Sequence, residues 1–373
     1  MATTPDVPKG PSPGAPLFGG ILRGEVCEHC GYVVPSNPRS ELVPLHLNEN
    51  LFEVEGALPV FPADRETLSR YPLGGSRPLI QALADHFGLE PEAVFVNAGA
   101  CAVLNAVFSM CANVGAVAVL PSPTWSYYHE VLGGLGVMRV EVPQRLGADG
   151  YRYDVAAIAE CAASEGATMV VLTSPNNPTG NRVGYDEVRA LAQRCPGSLV
   201  ILDEAYFGFA PPDPMRVAEL VSACPNVVVV RTFSKALGLA CLRVGFALAG
   251  IGARVLLRRL PVPFGLAGYA QEFAIARLAD HGYHAAVQQA WRLARDTICE
   301  GLSELDGFFV YPSDANFVLV RTPPGRARAI RDHLAERGFL VKLGDCAEMP
   351  DHLRITLAEA PIMERVLALV REL

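Results

Sequence analysis

Short apolar runs bounded by turn residues alternate with amphipathic stretches between residues 94 and 230. Five runs rich in β-branched residues or leucine predict buried strands. They are Val94–Val96, Val117–Leu120, Met169–Leu172, Leu199–Leu202 and Val227–Val230. The stretches between them, such as Tyr185–Gln193 and Met215–Ala223, have apolar residues at helical spacing. Strands that alternate with helices favour a largely parallel sheet covered on both faces.

The pattern changes at about residue 300, where shorter apolar runs predict a separate α+β lobe. Its predicted strands are Phe308–Val310, Phe317–Val320, Phe339–Lys342 and Leu353–Leu357, and its predicted helices cover about 325–337 and 360–373. We therefore expect an α/β protein with a large domain over 41–300 and a smaller α+β C-terminal domain over 301–373. Segment 41–70 is a candidate to pack with the small domain. Residues 1–40 are rich in Pro and Gly and predict an N-terminal arm, partly disordered.

Composition narrows the class of protein. The chain has 373 residues, half of them apolar, so it can bury a large core. The net charge of −8 does not favour binding to nucleic acid. No apolar run is long enough to cross a bilayer. We therefore expect a cytoplasmic protein with neither nucleic-acid nor membrane partners. Cys27 and Cys30 have the spacing of half a zinc site, but no second pair completes it, and we predict no metal.

Chemically useful side chains follow each predicted strand of the large domain. Gly99-Ala100-Cys101 follows the first strand, and Trp125 lies in the loop after the second. Ser174–Gly180 follows the third, Asp203-Glu204-Ala205-Tyr206 ends the fourth, and Thr232–Lys235 follows the fifth. Ligands of open α/β sheets bind outside the carboxyl ends of the strands, so these groups are expected to converge on one site.

Three of these groups suggest specific chemistry. Asp203 closes an apolar run, and a buried carboxylate needs a cation such as a protonated pyridine nitrogen, although an ordinary helix cap is the alternative. Lys235 leaves a buried strand, where a depressed pKa would make it a Schiff-base nucleophile; a surface lysine at a helix start is the alternative. Arg243 lies in an apolar setting that demands an anion. With Thr232, Ser234 and the amides of Gly99, Ala100 and Cys101, it would suit a phosphate.

The chain resembles the fold-type I aminotransferases that depend on pyridoxal 5′-phosphate (PLP), in particular the histidinol-phosphate aminotransferase and threonine-phosphate decarboxylase group. The similarity runs from about Leu45 to the C-terminus. Three motifs carry it, namely Ser-Pro-Asn-Asn-Pro-Thr-Gly at 174–180, Asp-Glu-Ala-Tyr at 203–206 and the stretch from Ser234 to Phe246.

The resemblance implies a role for each matching residue around the cofactor. Lys235 would form the Schiff base with PLP and then shuttle protons, and Asp203 would pair with the pyridine nitrogen. Asn177 and Tyr206 would hydrogen-bond the phenolic oxygen of the cofactor. Trp125 would stack on the pyridine ring.

Further matches concern the substrate and a second subunit. Tyr71 would reach the phosphate of the neighbouring subunit's cofactor, which implies a homodimer. Arg354 would grip the substrate carboxylate as a bidentate fork, and Asn48 lies in the segment that lines the substrate entrance. Lys342 stands near the place where a histidinol-phosphate aminotransferase would present an arginine for the substrate's phosphate.

The chain also departs from the family pattern. Gly99-Ala100-Cys101-Ala102 lacks the carboxylates usual there, and Ala358 replaces a glycine. We therefore expect a relative recruited to another substrate in specialised metabolism, with transamination between an amino acid and a 2-oxo acid as the leading hypothesis. A decarboxylase and an oxidase, cyclase or lyase stay open as alternatives. A non-catalytic binding module would leave Lys235, Asp203 and Arg354 unexplained.

Overall fold

In the computed structural model of the chain, the described residues are 42–61, 68–210, 214–260, 263–344 and 349–373. The predicted N-terminal arm and the Cys27/Cys30 pair lie outside these ranges. Within them, no helix is both long and apolar enough to span a membrane. The same ranges contain no group of three or more His, Cys, Asp or Glu side chains placed to hold a metal ion.

Nine strands precede residue 250 in the described ranges. They are β1 (Val94–Asn97), β2 (Val117–Ser122), β3 (Met138–Pro143), β4 (Arg145–Gly147), β5 (Gly150–Arg152), β6 (Met169–Thr173), β7 (Leu199–Asp203), β8 (Val227–Thr232) and β9 (Gly245–Ala249). Seven of them form one sheet in the order β1-β9-β8-β7-β6-β2-β3, and β4 pairs with β5 as a separate hairpin. β9 runs antiparallel to both neighbours, while the other contiguous pairs are parallel. The predicted α/β class is confirmed.

Helices cover both faces of this sheet, as its fully buried strands require. Those of the described ranges are α1 (Arg77–Phe87), α2 (Ala100–Cys111), α3 (Tyr127–Gly134), α4 (Val155–Ser164), α5 (Tyr185–Arg194), α6 (Pro214–Ala223), α7 (Arg254–Leu257), α8 (Gly268–Ala279), α9 (His281–Ser303), α10 (Ala327–Glu336) and α11 (Ala360–Val370). Residues of α1, α4, α5, α6 and α8 pack with one face in a single apolar cluster. Residues of α2, α3 and α7 pack with the other face.

A second sheet lies in the C-terminal region of the described chain. It consists of β10 (Phe309–Val310), β11 (Phe317–Arg321), β12 (Lys342–Leu343) and β13 (His352–Thr356), in the antiparallel order β10-β11-β13-β12. Its apolar cluster also contains the inner face of α9 and, from the segment before α1, Leu45 and Phe52. This packing brings residues 46–49 to the edge of the large sheet.

The sequence-based strand predictions need correction in several places. The predicted strand Phe339–Lys342 reduces to β12, because Phe339 forms only an isolated bridge with Val43. β9 was not predicted, because Gly245–Ala249 has no β-branched residue and consists mostly of glycine and alanine, yet it is fully buried between β1 and β8. The edge strand β3 escaped because most of its residues are exposed or only partly buried.

Candidate active site

The carboxyl ends of the central strands open into a cavity of about 420 Å³, closed from the other side by residues 46–49 and by β12 and β13. Of the residues predicted for the site, the wall contains Asn48, Ala100, Cys101, Trp125, Asn177, Asp203, Tyr206, Thr232, Ser234, Lys235, Arg243, Lys342 and Arg354. The expected convergence of the strand ends is thus found.

The Lys235 side chain projects from the loop after β8 into this cavity. Its Nζ donates to the carbonyl oxygens of Leu47 at 3.1 Å and Asn48 at 2.7 Å. Burial lowers the pKa of Lys235 to about 8, and the nearby Arg354 guanidinium contributes in the same direction. An amine with this pKa is a ready nucleophile at neutral pH, because a substantial fraction of it is uncharged.

Asp203 ends β7 and is almost completely buried, with 1% of its surface exposed. Its Oδ2 accepts from the Tyr128 hydroxyl at 2.6 Å, and its Oδ1 accepts from the Ala205 amide at 3.0 Å. Burial raises the pKa of Asp203 to about 6, with the two hydrogen bonds acting against that rise. The helix-cap alternative is wrong, because residues 205–208 form a turn and α6 begins only at Pro214. The carboxylate therefore lacks a helix terminus and faces the cavity.

A chain of hydrogen bonds joins the two sheets across the cavity. Arg354, in β13, donates from Nη1 to the Asn177 side-chain oxygen at 2.7 Å and from Nη2 to the His46 carbonyl at 2.7 Å. Asn177 in turn donates to the Tyr206 hydroxyl at 3.3 Å, which also accepts from the Asn48 amide at 3.0 Å. These contacts fix the orientation of the guanidinium and of the phenol.

The other end of the cavity is a cradle suited to an anion. Arg243 donates from Nη1 to the Ser234 hydroxyl at 3.0 Å and to the Ala240 carbonyl at 2.8 Å. It lies against the start of α2, where Gly99 has φ +87° and a Cβ would come within 2.5 Å of Arg243 Nη2. Thr232 supports the Ser234 turn, accepting from the Ser234 amide at 3.1 Å. A helix N-terminus, a hydroxyl and a guanidinium together attract phosphate.

Aromatic and cationic side chains complete the walls. Trp125 stacks on Tyr127, with ring centroids 4.5 Å apart, and meets Tyr128 edge-on at 5.6 Å. Lys342 is the register partner of Arg354 across β12 and β13, so both cations belong to one end of the cavity. Burial raises the pKa of the Cys101 thiol, with the Asp203 carboxylate adding to the effect, so the thiol stays neutral.

Tyr71 lies apart from the cavity wall. Its side chain is 74% exposed and stacks on Phe264 with ring centroids 4.5 Å apart. It therefore does not close the cavity of its own chain, and its predicted role toward a neighbouring subunit stays a prediction.

Several wall residues were not predicted from the sequence. Leu47 supplies a carbonyl to Lys235, His46 supplies one to Arg354, and Cys241 also lines the cavity. Tyr128, whose hydroxyl donates to Asp203, lies in α3, three residues after Trp125. A buried tyrosine hydroxyl requires a partner, so the aromatic run Trp-Ser-Tyr-Tyr was the available signal.

The cavity fits pyridoxal phosphate. Asp203 is a buried carboxylate that requires a cation, Lys235 offers an amine of lowered pKa, and the cradle at Arg243 suits a phosphate. An amine, a carboxylate and an anion cradle at the carboxyl end of a mostly parallel sheet define a PLP enzyme of fold type I.

Comparisons with known proteins lead to the same class. The family described as aminotransferase class I and II matches residues 40–369, and the chain belongs to this family. It is 32% identical over 338 residues to histidinol-phosphate aminotransferase 2 of Archaeoglobus fulgidus, covering 90% of this chain and 94% of that protein. The chain is therefore a PLP-dependent aminotransferase.

Solved structures agree on the fold. The histidinol-phosphate aminotransferase of Sinorhizobium meliloti, in complex with pyridoxal 5′-phosphate, superposes with a TM-score of 0.80 at 28% identity, covering 93% of this chain and 97% of that one. The L-threonine-O-3-phosphate decarboxylase of Porphyromonas gingivalis superposes with a TM-score of 0.69 at 22% identity, covering 82% and 91%. The second likeness speaks for the fold alone, and the decarboxylase alternative is not favoured.

Proposed function

We propose that this aminotransferase moves an amino group between a 2-oxo acid and an amino acid or amino-alcohol phosphate, in the manner of a histidinol-phosphate aminotransferase. One observation carries the proposal: the Lys235 amine, the Asp203 carboxylate and the Arg354 guanidinium all line a single cavity. The relatives named histidinol-phosphate aminotransferase support the substrate class. The departures at Cys101 and Lys342 favour a different substrate side chain.

The cofactor would be held by groups at opposite ends of the cavity. When bound, PLP supplies an aldehyde that forms a Schiff base with an amine and a pyridinium ring that withdraws electrons from the reacting carbon. Asp203 would hold the proton on the ring nitrogen, and Trp125 would stack on the ring. Asn177 and Tyr206 would donate to the phenolic oxygen. The phosphate would be bound by Arg243 and Ser234, with Thr232 shaping their loop and Gly99, Ala100 and Cys101 supplying amides.

Lys235 would be the group that moves protons at the reacting carbon. Its lowered pKa of about 8 allows the amine both to accept and to release a proton near neutral pH. The carbonyl oxygens of Leu47 and Asn48 accept from its Nζ and so hold the amine within the cavity. The amine can therefore act as general base and general acid in the same turnover.

Arg354 would bind the anionic group of the substrate. Its guanidinium is already oriented by Asn177 and His46, so less entropy is lost when a carboxylate or phosphate binds. Lys342, beside it in register, would add a second positive charge at the same end. Asn48 would shape the entrance, since it is buried and its amide donates to Tyr206.

We propose further that the protein is a homodimer in which Tyr71 reaches the neighbouring cavity. Exposed apolar side chains lie near Tyr71 in sequence or space and support a subunit interface there. They are Phe61, Leu68, Leu73 and Phe264. The division into a large domain and a small C-terminal domain is likewise a proposal. The apolar cluster around β11 and β13 supports it, with the large domain over 41–300 and the small domain over 301–373.

The test is a half-reaction. Purified holoenzyme is mixed with single amino acids or amino-alcohol phosphates in the absence of an acceptor, and pyridoxamine phosphate is measured by chromatography. We expect stoichiometric conversion with the true donor, none in Lys235→Ala, and an altered donor preference in Lys342→Ala. If carbon dioxide is released and the cofactor stays in the aldehyde form, the reaction is decarboxylation and the proposed transamination is wrong.

A further inference from the structure

Tyr128 is a buried tyrosine whose hydroxyl meets Asp203 behind the cavity wall. It lies in α3 with no exposed surface, and its ring packs edge-on against Phe108 at 6.2 Å and Trp125 at 5.6 Å. Its hydroxyl lies 2.6 Å from Asp203 Oδ2 and 2.9 Å from Thr173 Oγ1. Thr173 and Asp203 are register partners at the ends of β6 and β7.

The single proton of the Tyr128 hydroxyl determines which group donates in each of these hydrogen bonds. A phenol has one proton, and a carboxylate only accepts, so the Tyr128 proton goes to Asp203. The Thr173 hydroxyl must then donate to the Tyr128 oxygen. The chain Thr173 to Tyr128 to Asp203 therefore ends on the carboxylate, and each bond polarises the next. The other carboxylate oxygen is held by the Ala205 amide at 3.0 Å.

Burial and the hydrogen bond from Tyr128 shift the pKa of Asp203 in opposite directions. Burial favours the neutral acid and raises the pKa of Asp203, whereas the Tyr128 hydrogen bond stabilises the anion. The pKa of Tyr128 itself lies well above its ordinary value because of burial and the adjacent Asp203 carboxylate. Tyr128 thus stays protonated at all physiological pH values and always acts as a donor.

Other titratable groups lie around Asp203 and in the same cavity. Glu204 is paired with Arg231 at 2.7 Å, in the interior. Tyr153 and Cys101 both have raised pKa values, chiefly through burial, and stay neutral. Lys235, in the wall of the same cavity, has a pKa lowered to about 8, chiefly by burial. A titration near neutral pH is therefore assigned to Asp203 only where it appears in a carboxyl band that Asp203→Asn abolishes.

We propose that Tyr128 is a positioning residue that keeps the Asp203 carboxylate ionised and aimed into the cavity, ready to pair with the protonated ring nitrogen of PLP. The proposal rests on the proposed role of Asp203. Tyr128 itself does not line the cavity and would not touch the cofactor. Both carboxylate oxygens keep a lone pair for a third donor, because each accepts one hydrogen bond from the described residues.

The variant Tyr128→Phe removes the donor and keeps the ring. The matched control is Tyr127→Phe, since that neighbouring hydroxyl donates to Asn105 at 2.7 Å and not to Asp203. The carboxyl group is titrated by infrared difference spectroscopy in the cofactor-free full chain, with Asp203→Asn identifying the band. Cofactor dissociation from the holoenzyme is measured over the same pH range.

A hydrogen bond to a charged group corresponds to a shift of about one to two pH units, so Tyr128→Phe should move the Asp203 midpoint upward by that amount. PLP affinity at pH 7 should fall about two- to tenfold with the ionised fraction, and Tyr127→Phe should change neither quantity. If Tyr128→Phe does not fold, Thr173→Val provides the test. It removes the donor to the phenol oxygen, together with a 3.5 Å contact to the Thr124 hydroxyl, and should shift the Asp203 midpoint in the same direction by less.

The proposal is overturned if the titration midpoint of Asp203 is the same in Tyr128→Phe as in wild type, or the same in Thr173→Val as in wild type. Tyr128 would then be a packing residue. Failure of the proposed function would look different. In that case Asp203→Asn would itself leave PLP affinity and amino transfer unchanged, whatever the Tyr128 variants do.

Discussion

The Lys235 amine is expected to titrate near neutral pH in the cofactor-free protein. The structure lowers its pKa from 10.5 to about 8, with burial as the main cause and the Arg354 charge as the second. At pH 7 the uncharged fraction rises from about 0.03% for a free lysine to about 9%, a gain of about 300-fold. Arg354→Leu removes the second cause and keeps the burial, so the Lys235 midpoint should move upward.

Competitive labelling measures this midpoint directly. The chain has only three lysines, Lys9, Lys235 and Lys342, so peptides that carry each amine are easily resolved. Trace acetic anhydride is added to the cofactor-free protein between pH 6 and 11, with a free lysine amide as reference, and labelling of Lys235 is quantified by mass spectrometry. A midpoint near that of the reference amine would mean that water fills the cavity and that burial does not tune Lys235. An unchanged midpoint in Arg354→Leu would place the guanidinium too far away to act.

Three further predictions follow from particular contacts. Arg354→Ala should raise the KM for the amino donor about 10- to 100-fold, the loss expected for hydrogen bonds to a charged group, while PLP affinity stays the same. Gly99→Ala should weaken PLP binding, because its Cβ would lie 2.5 Å from Arg243 Nη2 at a φ of +87°. Glu204→Gln should lower the free energy of unfolding by about 3–5 kcal/mol, measured in denaturant, since it leaves the buried Arg231 charge without its partner.

Each of these variants has a control in the same chain. Arg145→Ala removes an exposed cation that pairs with Asp154 and should leave the KM unchanged. Gly166 also has a positive φ, but no atom of the described residues lies within 4 Å of an added Cβ, so Gly166→Ala should leave PLP affinity unchanged. Arg216→Gln breaks an exposed ion pair and should cost less than about 1 kcal/mol. Effects of equal size in variant and control would contradict the structural reasons given.

Sequence pattern alone predicted the class of fold and most of the chemistry. Buried strands such as Met169–Leu172 and Val227–Val230 are contiguous apolar runs, and the polar residues after them are local in sequence. Local patterns were enough to locate Asp203 and Lys235 at strand ends, because parallel strands bring their carboxyl ends to one edge. Other roles came only through the family resemblance, namely those of Tyr71, Trp125, Asn177, Tyr206, Arg354, Asn48 and Lys342.

Tertiary structure alone decided which groups meet. Arg354 binds Asn177 from 177 residues away, and Leu47 and Asn48 accept from Lys235 across more than 180 residues. The tie between Tyr128 and Asp203 depends on α3 packing against the ends of β6 and β7. Such contacts leave no periodic pattern in the sequence, because they form only when the two sheets and their apolar clusters pack together. The local sequence therefore determines which groups are candidates for catalysis, whereas the assembled cavity determines their pKa values and orientation.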